Sequence, residues 1–158
     1  MNAIGIRASN SEIIFSVVDK NSDSCEILTI DKFIVPKALD MPDRLSYIRN
    51  SFESIIKEFN ITKAGVRIQE MVQRVTNNII ERIYIEGVLQ ELFSNSTVCF
   101  YFAGRKNTIA KLLETTPENV SSFMNGETIF NEIEGWETMD IKKRESIIAA
   151  FASCRIGE

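Results

Sequence analysis

"AIGIRASNSEIIFSVVD", residues 3–19, is an apolar run, a polar break at residues 8–12 and a second apolar run. Two antiparallel strands joined by a short turn have this pattern. The next segment, "SCEILTIDKFIVP" (24–36), alternates Ile27, Thr29, Asp31 and Phe33 with Leu28, Ile30, Lys32 and Ile34 until Pro36 ends it. It reads as a third strand, so the chain opens with three β segments in succession.

Helices and strands then alternate. Asp40 is placed to cap a helix with Pro42 and Asp43 in its first turn, and Leu45, Ile48, Phe52, Ile55, Ile56 and Phe59 recur at spacings of three and four. "KAGVRIQEM" (63–71) is a short β-like run. "RVTNNIIERIYIEGVLQELF" (74–93) predicts a second long helix with Val75, Ile79, Ile80, Ile83, Val88 and Leu92 on one broad face. That stripe, with Tyr84 and Gly87, reads as core packing, the glycine permitting close backbone approach. "STVCFYF" (96–102) is a compact strand, and residues 103–113 read as a helix carrying Arg105, Lys106 and Lys111. Thr116, Pro117 and Glu118 mark the start of a short helix through about Met124. Residues 126–139, with the only tryptophan, Trp136, are the least regular. A last helix from about Asp140 directs Ile147, Ile148, Phe151 and Cys154 inward.

Composition narrows the function classes. At 158 residues, 44% apolar and 25% charged, the chain fits one domain with a self-sufficient core, and the whole of 1–158 is read as that domain. No apolar run is long enough to span a bilayer, and no basic segment followed by a sustained apolar stretch marks a secretory signal. Cys25, Cys99 and Cys154 are far apart and in no metal-binding spacing, so they read as reduced thiols of a cytoplasmic protein. A net charge of −4 gives no global attraction to a polyanion, and any nucleic-acid contact must come from a local patch. With no histidine, Ser-His and Cys-His nucleophilic systems and His-ligated zinc are excluded. Carboxylate, lysine or thiol chemistry remains.

Three strands, then helix, strand, helix, strand and helix describe a mixed sheet with helices on both faces, a three-layer α/β/α arrangement. That order, and the placing of "AIGIRASNSEIIFSVVD", "AGVRIQEMVQ", "RVTNNIIERIYIEGVLQELF" and "KKRESIIAAFAS", resembles the RuvC-like resolvases of the RNase H-like fold over almost the whole chain. Closest among them are small uncharacterised RuvC-like proteins. The resemblance implies a site of clustered carboxylates holding two divalent ions, Mg²⁺ or Mn²⁺, that activate water and stabilise the leaving oxygen. The family's Gly-x-Asp falls here on Gly5-Ile6-Arg7, its Ile-Glu on Ile68-Gln69, and its paired acids before the terminal helix on Lys142 and Glu145. One carboxylate of four survives. Glu70, next to Gln69, points to the opposite face if the strand continues regularly.

What the resemblance then implies is a catalytically degenerate module, a pseudo-nuclease without a metal cofactor, that binds nucleic acid or a protein partner. The alternative is a divergent metal-dependent nuclease using Glu70 and Glu145 with Mg²⁺ or Mn²⁺. Arg7 reads equally as the partner of Glu145 in an ion pair and as a ligand-binding cation, whereas Gln69 reads as a hydrogen-bonded strand terminus. Glu145 lies in the first turns of a helix, where an acid is favourable in any case. Arg105, Lys106 and Lys111, with Lys142, Lys143 and Arg144, form either a positive rim for nucleic acid or two solvated helix faces, and the acidic balance favours the second. Relatives with this fold dimerise through the region of the second long helix, which makes a homodimer a further expectation. The actin-like ATPases and sugar kinases also open with a strand, turn and strand, but Ala8-Ser9-Asn10 lacks the glycines of their phosphate loop.

Overall fold

A computed structural model describes residues 1–22 and 24–157. Strands β1 (Asn2–Ala8), β2 (Glu12–Lys20), β3 (Cys25–Ile34), β4 (Ile61–Arg67) and β5 (Phe100–Gly104) form one sheet in the order β3-β2-β1-β4-β5. The first three pair antiparallel, and β4 and β5 join parallel to β1. This is the mixed sheet expected from the sequence, with the first three strands adjacent.

Alternation along β1 decides which face each residue serves. Ile4, Ile6 and Ala8 join a core with Ile48, Phe52 and Ile56 of α1 (Met41–Glu58) and Ile85, Leu89, Leu92 and Phe93 of α2 (Asn77–Ser94). Ala3 faces the other core, built by α3 (Lys106–Leu112), α4 (Pro117–Asn125) and α5 (Ile141–Ser153). Phe130, Trp136 and Phe151 stack in that second core, with ring centroids 5.6 and 5.3 Å from Phe130. The irregular stretch at 126–139 thus carries a fully buried Trp136, its indole nitrogen donating to the Phe123 carbonyl at 2.9 Å. Ile147, Ile148, Phe151 and Cys154 are buried as expected.

The structure of α5 explains why β1 and β4 each carry a glycine at matched register, Gly5 opposite Gly65. A Cβ on Gly5 would stand 2.1 Å from Ser146 O and Ala150 N, and one on Gly65 would stand 2.8 Å from Ala149 O. Such approaches admit no side chain. Ser146, Ala149, Ala150 and Ala152 supply the small surface that lets the helix settle there, and the Ser16 and Ser146 hydroxyls bond at 2.6 Å in the buried contact.

Several expectations need correction. Strand β4 ends at Arg67, before Ile68-Gln69, because the chain turns away after Ile68 N bonds Gly104 O at 3.1 Å. Residues 103 and 104 belong to β5, and α3 starts only at Lys106. Helix α2 starts at Asn77, capped by the Thr76 hydroxyl, and its broad apolar stripe is core only in part: Leu92 is buried and Val88 packs against the core, whereas Val75, Ile80, Ile83 and Tyr84 are exposed. The buried face is Arg82, Ile85, Glu86, Leu89, Leu92 and Phe93. Gly87 accordingly meets open space and brings no backbone close within the chain.

Candidate functional site

The parallel strands β1 and β4 both carry Gly-x-Arg at or one residue before their ends, Gly5-Ile6-Arg7 and Gly65-Val66-Arg67. Each glycine seats α5, and each arginine two residues on points to the same side, toward the first turns of that helix. Glu145 receives them both. Arg7 Nε donates to Glu145 Oε2, and Arg67 Nε lies 3.4 Å from Oε1 without hydrogen-bond alignment. Glu145 and Arg67 are buried, and Arg7 is nearly so.

A second carboxylate meets the same guanidinium from the loop after β4. Glu70 Oε1 stands 3.0 Å from Arg67 Nη2 and accepts the Lys106 amide at 3.0 Å. With the strand finished at Arg67, the regular alternation that would direct Glu70 to the opposite face does not apply, and it turns back to the cluster.

The third pair comes from α2. Arg82 Nε donates to Glu86 Oε1 at 2.7 Å, one helical turn apart on the buried face. Arg82 also donates to Gln69 Oε1 at 2.9 Å and to the Arg67 carbonyl at 3.1 Å, while Glu86 Oε1 accepts the Gln69 amide at 2.9 Å. Burial pushes the Glu86 carboxyl above its ordinary range, against the pull of Arg82; burial, and then the charge of Arg7, lowers Arg82. Both shifts mark ions taken out of water and held by each other.

Arg7, Gln69 and Glu145 therefore do gather at one end of the sheet, but in a different arrangement from a single guanidinium serving both partners. Arg7 serves Glu145, and Gln69 is held by Arg82 and by Arg105 Nε, which donates to its carbonyl at 2.8 Å. Lys142 stands apart, paired with Glu12 at 3.0 Å. Arg144 leaves the positive rim altogether: it is buried and donates to the carbonyls of Met124 at 2.7 Å and Met139 at 2.6 Å. Lys111 and Lys143 are exposed and Lys106 is half-buried. Arg67, Arg82 and Glu86 were not singled out from the sequence. Their signals were there, in the repeated Gly-x-Arg and in an i,i+4 Arg-Glu pair.

This donor set does not fit a pair of divalent cations. Such ions need several hard oxygen ligands, and Glu70, Glu86 and Glu145 each face a guanidinium instead. Among the described residues, no three of His, Cys, Asp or Glu gather as a metal site would require. Beside the cluster, a groove of about 290 Å³ runs between Gln69, Glu70, Glu86 and Arg105 and the exposed apolar residues Met71 and Ile83.

No family model matches the chain, and no curated protein matches it in sequence. Solved structures do match in fold. RuvC of Thermus thermophilus, determined with a Holliday junction substrate, is 13% identical, with 98% of this chain and 94% of that one covered at a TM-score of 0.70. The yeast mitochondrial Holliday junction resolvase Ydc2 is 15% identical, covering 97% and 77% at 0.61. The fowlpox virus resolvase with Holliday junction DNA is 11% identical, covering all of both chains at 0.52. The fold is the RNase H-like fold of RuvC.

Proposed function

We propose that this protein is a RuvC-like domain that binds nucleic acid without cleaving it, its metal site replaced by an arginine–glutamate cluster. The observation that carries this reading is Glu145, buried between Arg7 and Arg67. Fixed positive charge at the ends of β1 and β4 repels a divalent ion, and the one carboxylate between them is already paired with it. The alternative nuclease would need Glu70 and Glu145, and both are committed to Arg67.

Nucleic acid is the partner that the neighbouring structures suggest, since two of them were determined with Holliday junction substrates. Lys106, Lys111 and Lys143, with the Arg105 guanidinium, are the cations left to meet phosphates, and phosphate contact supplies affinity without sequence choice. The exposed apolar residues of α2, Ile80, Ile83 and Tyr84, with the open Gly87, suit a second copy of this chain packed helix to helix.

Purified protein incubated with four-way junction, single-stranded DNA and RNA, with Mg²⁺ or Mn²⁺, tests the reading. Salt-sensitive binding that weakens in Lys111→Glu/Lys143→Glu, with no cleavage and no thermal stabilisation by either ion, is the expected result. Cleavage lost in Glu145→Ala would overturn it. Light scattering of the native protein against Tyr84→Arg reports the second copy: a dimer that becomes a monomer is expected.

A further inference from the structure

Away from the cluster, at the other end of α5, two thiols meet. Cys25 opens β3 and Cys154 closes α5, and their sulfurs stand 3.9 Å apart although 129 residues separate them in sequence. They line a solvent-open cavity of about 630 Å³ with Lys20, Asn21, Phe151 and Arg155. We propose that Cys25 and Cys154 form an oxidisable dithiol, a modification site at which a peroxide closes a disulfide that ties the end of α5 to the β2–β3 hairpin.

The two sulfurs divide the roles. The contact with Cys25, and then Lys20 and Lys63, lower Cys154 from the ordinary thiol range, against the effect of burial. Cys25 is raised by that same contact and by burial. Cys154 is thus the sulfur placed to ionise first and attack. Its sulfur displaces hydroxide from hydrogen peroxide, giving a sulfenic acid and, with a proton, water. The Cys25 sulfur then attacks the sulfenic sulfur, loses its proton and expels a second water. Two thiols are oxidised to a disulfide, and one peroxide is reduced to two waters.

A disulfide needs its sulfurs about 2 Å apart, so each has on the order of 1 Å to travel. Cys25 pairs with Lys20 at the hairpin end, where Asn21 N donates to Ser24 O at 2.9 Å across the turn. Cys99 is exposed and its sulfur donates to the Thr97 carbonyl at 3.6 Å, with no second thiol beside it among the described residues.

The test uses the full-length Cys99→Ser variant, reduced, treated with stoichiometric hydrogen peroxide, alkylated and digested for mass spectrometry. The expected product is a disulfide within one chain, lighter by two hydrogen atoms, with the Cys25 and Cys154 peptides linked and neither sulfur alkylated. In the native protein the bond should form at least about tenfold faster than in urea, where so long a loop must close by diffusion. In the further variant Cys25→Ser, a sulfenic acid on Cys154 should be trapped by dimedone. Thiols that both remain alkylatable, a bond no faster in native protein than in urea, or Cys154 carried to sulfinate with Cys25 free would each overturn the proposal.

Discussion

The two ends of α5 meet the same sheet in opposite ways. At its beginning, a carboxylate on the helix lies between two strand-end guanidinia, Glu145 with Arg7 and Arg67. At its end, the helix offers a backbone carbonyl, and strand amines come to it: Lys63 Nζ donates to Cys154 O at 3.0 Å, with Lys20 Nζ at 3.5 Å. Residues of β4 facing α5 thus alternate as Lys63, Gly65, Arg67, a cation at each end and a glycine between. One end binds a full charge inside the protein, where loss of either partner strands the other. The other binds only the partial negative charge of a helix terminus, a weaker and more adjustable contact. The difference teaches where this fold is rigid and where it has room for chemistry.

Breaking what both ends share should have the largest effect. Gly5→Ala places a methyl group 2.1 Å from α5 backbone, which cannot move as a side chain does. We expect a loss of about 4 kcal/mol or more, read by urea denaturation, or no folded protein at all.

Glu145→Ala comes next and acts on one end alone. Arg7 and Arg67 would be left without their carboxylate inside the protein, a loss of about 3–5 kcal/mol. A change under about 1 kcal/mol would mean that water reaches the cluster and that the contrast between the ends is false. Phe151→Ala, near the other end but in its apolar core against Phe130, should lose about 3 kcal/mol by leaving a cavity.

The smallest effect sharpens the comparison through pH. Burial, and then Lys20, lowers the folded-state pKa of Lys63. Between that lowered value and the ordinary 10.5, the unfolded chain holds a proton that the folded one has released, so stability rises with pH across this window. Lys63→Met removes that contribution. Its unfolding free energy, measured beside the native protein's from neutral pH toward 10.5, should show a flatter alkaline slope; equal slopes would place Lys63 in water.

Much of the fold was legible from local pattern. The paired apolar runs at 3–19, the Pro36 stop and the 3.6-residue periodicity of α1 each follow from contacts a few residues apart. The pairing of Arg7 with Glu145 was legible as well, because like the fold it came from aligning segments rather than from reading one. What failed was α2. Its apolar residues lie on two stripes, and periodicity reports a stripe without saying which one the sheet covers. Only Arg82 and Glu86 decide that, since two opposite charges at i,i+4 can be buried together on the inner face and leave Ile80, Ile83 and Tyr84 outside. Arg144 failed for a related reason: four carbonyls, one from the last turn of α4 and three from residues 136–139, gather around it, and no local pattern announces them.

The seating of α5 also sets a schedule for folding. Its contacts reach across the chain, Arg7 to Glu145 over 138 residues and Ser16 to Ser146 over 130. Native contacts of such separation slow the search for the folded state. During synthesis, β1 and β4 emerge well before residues 141–153, and until those residues arrive the groove floored by Gly5 and Gly65 lies open, with Arg7 and Arg67 still hydrated beside it. Refolding rates should consequently fall in variants of the helix seat more than in variants of α1.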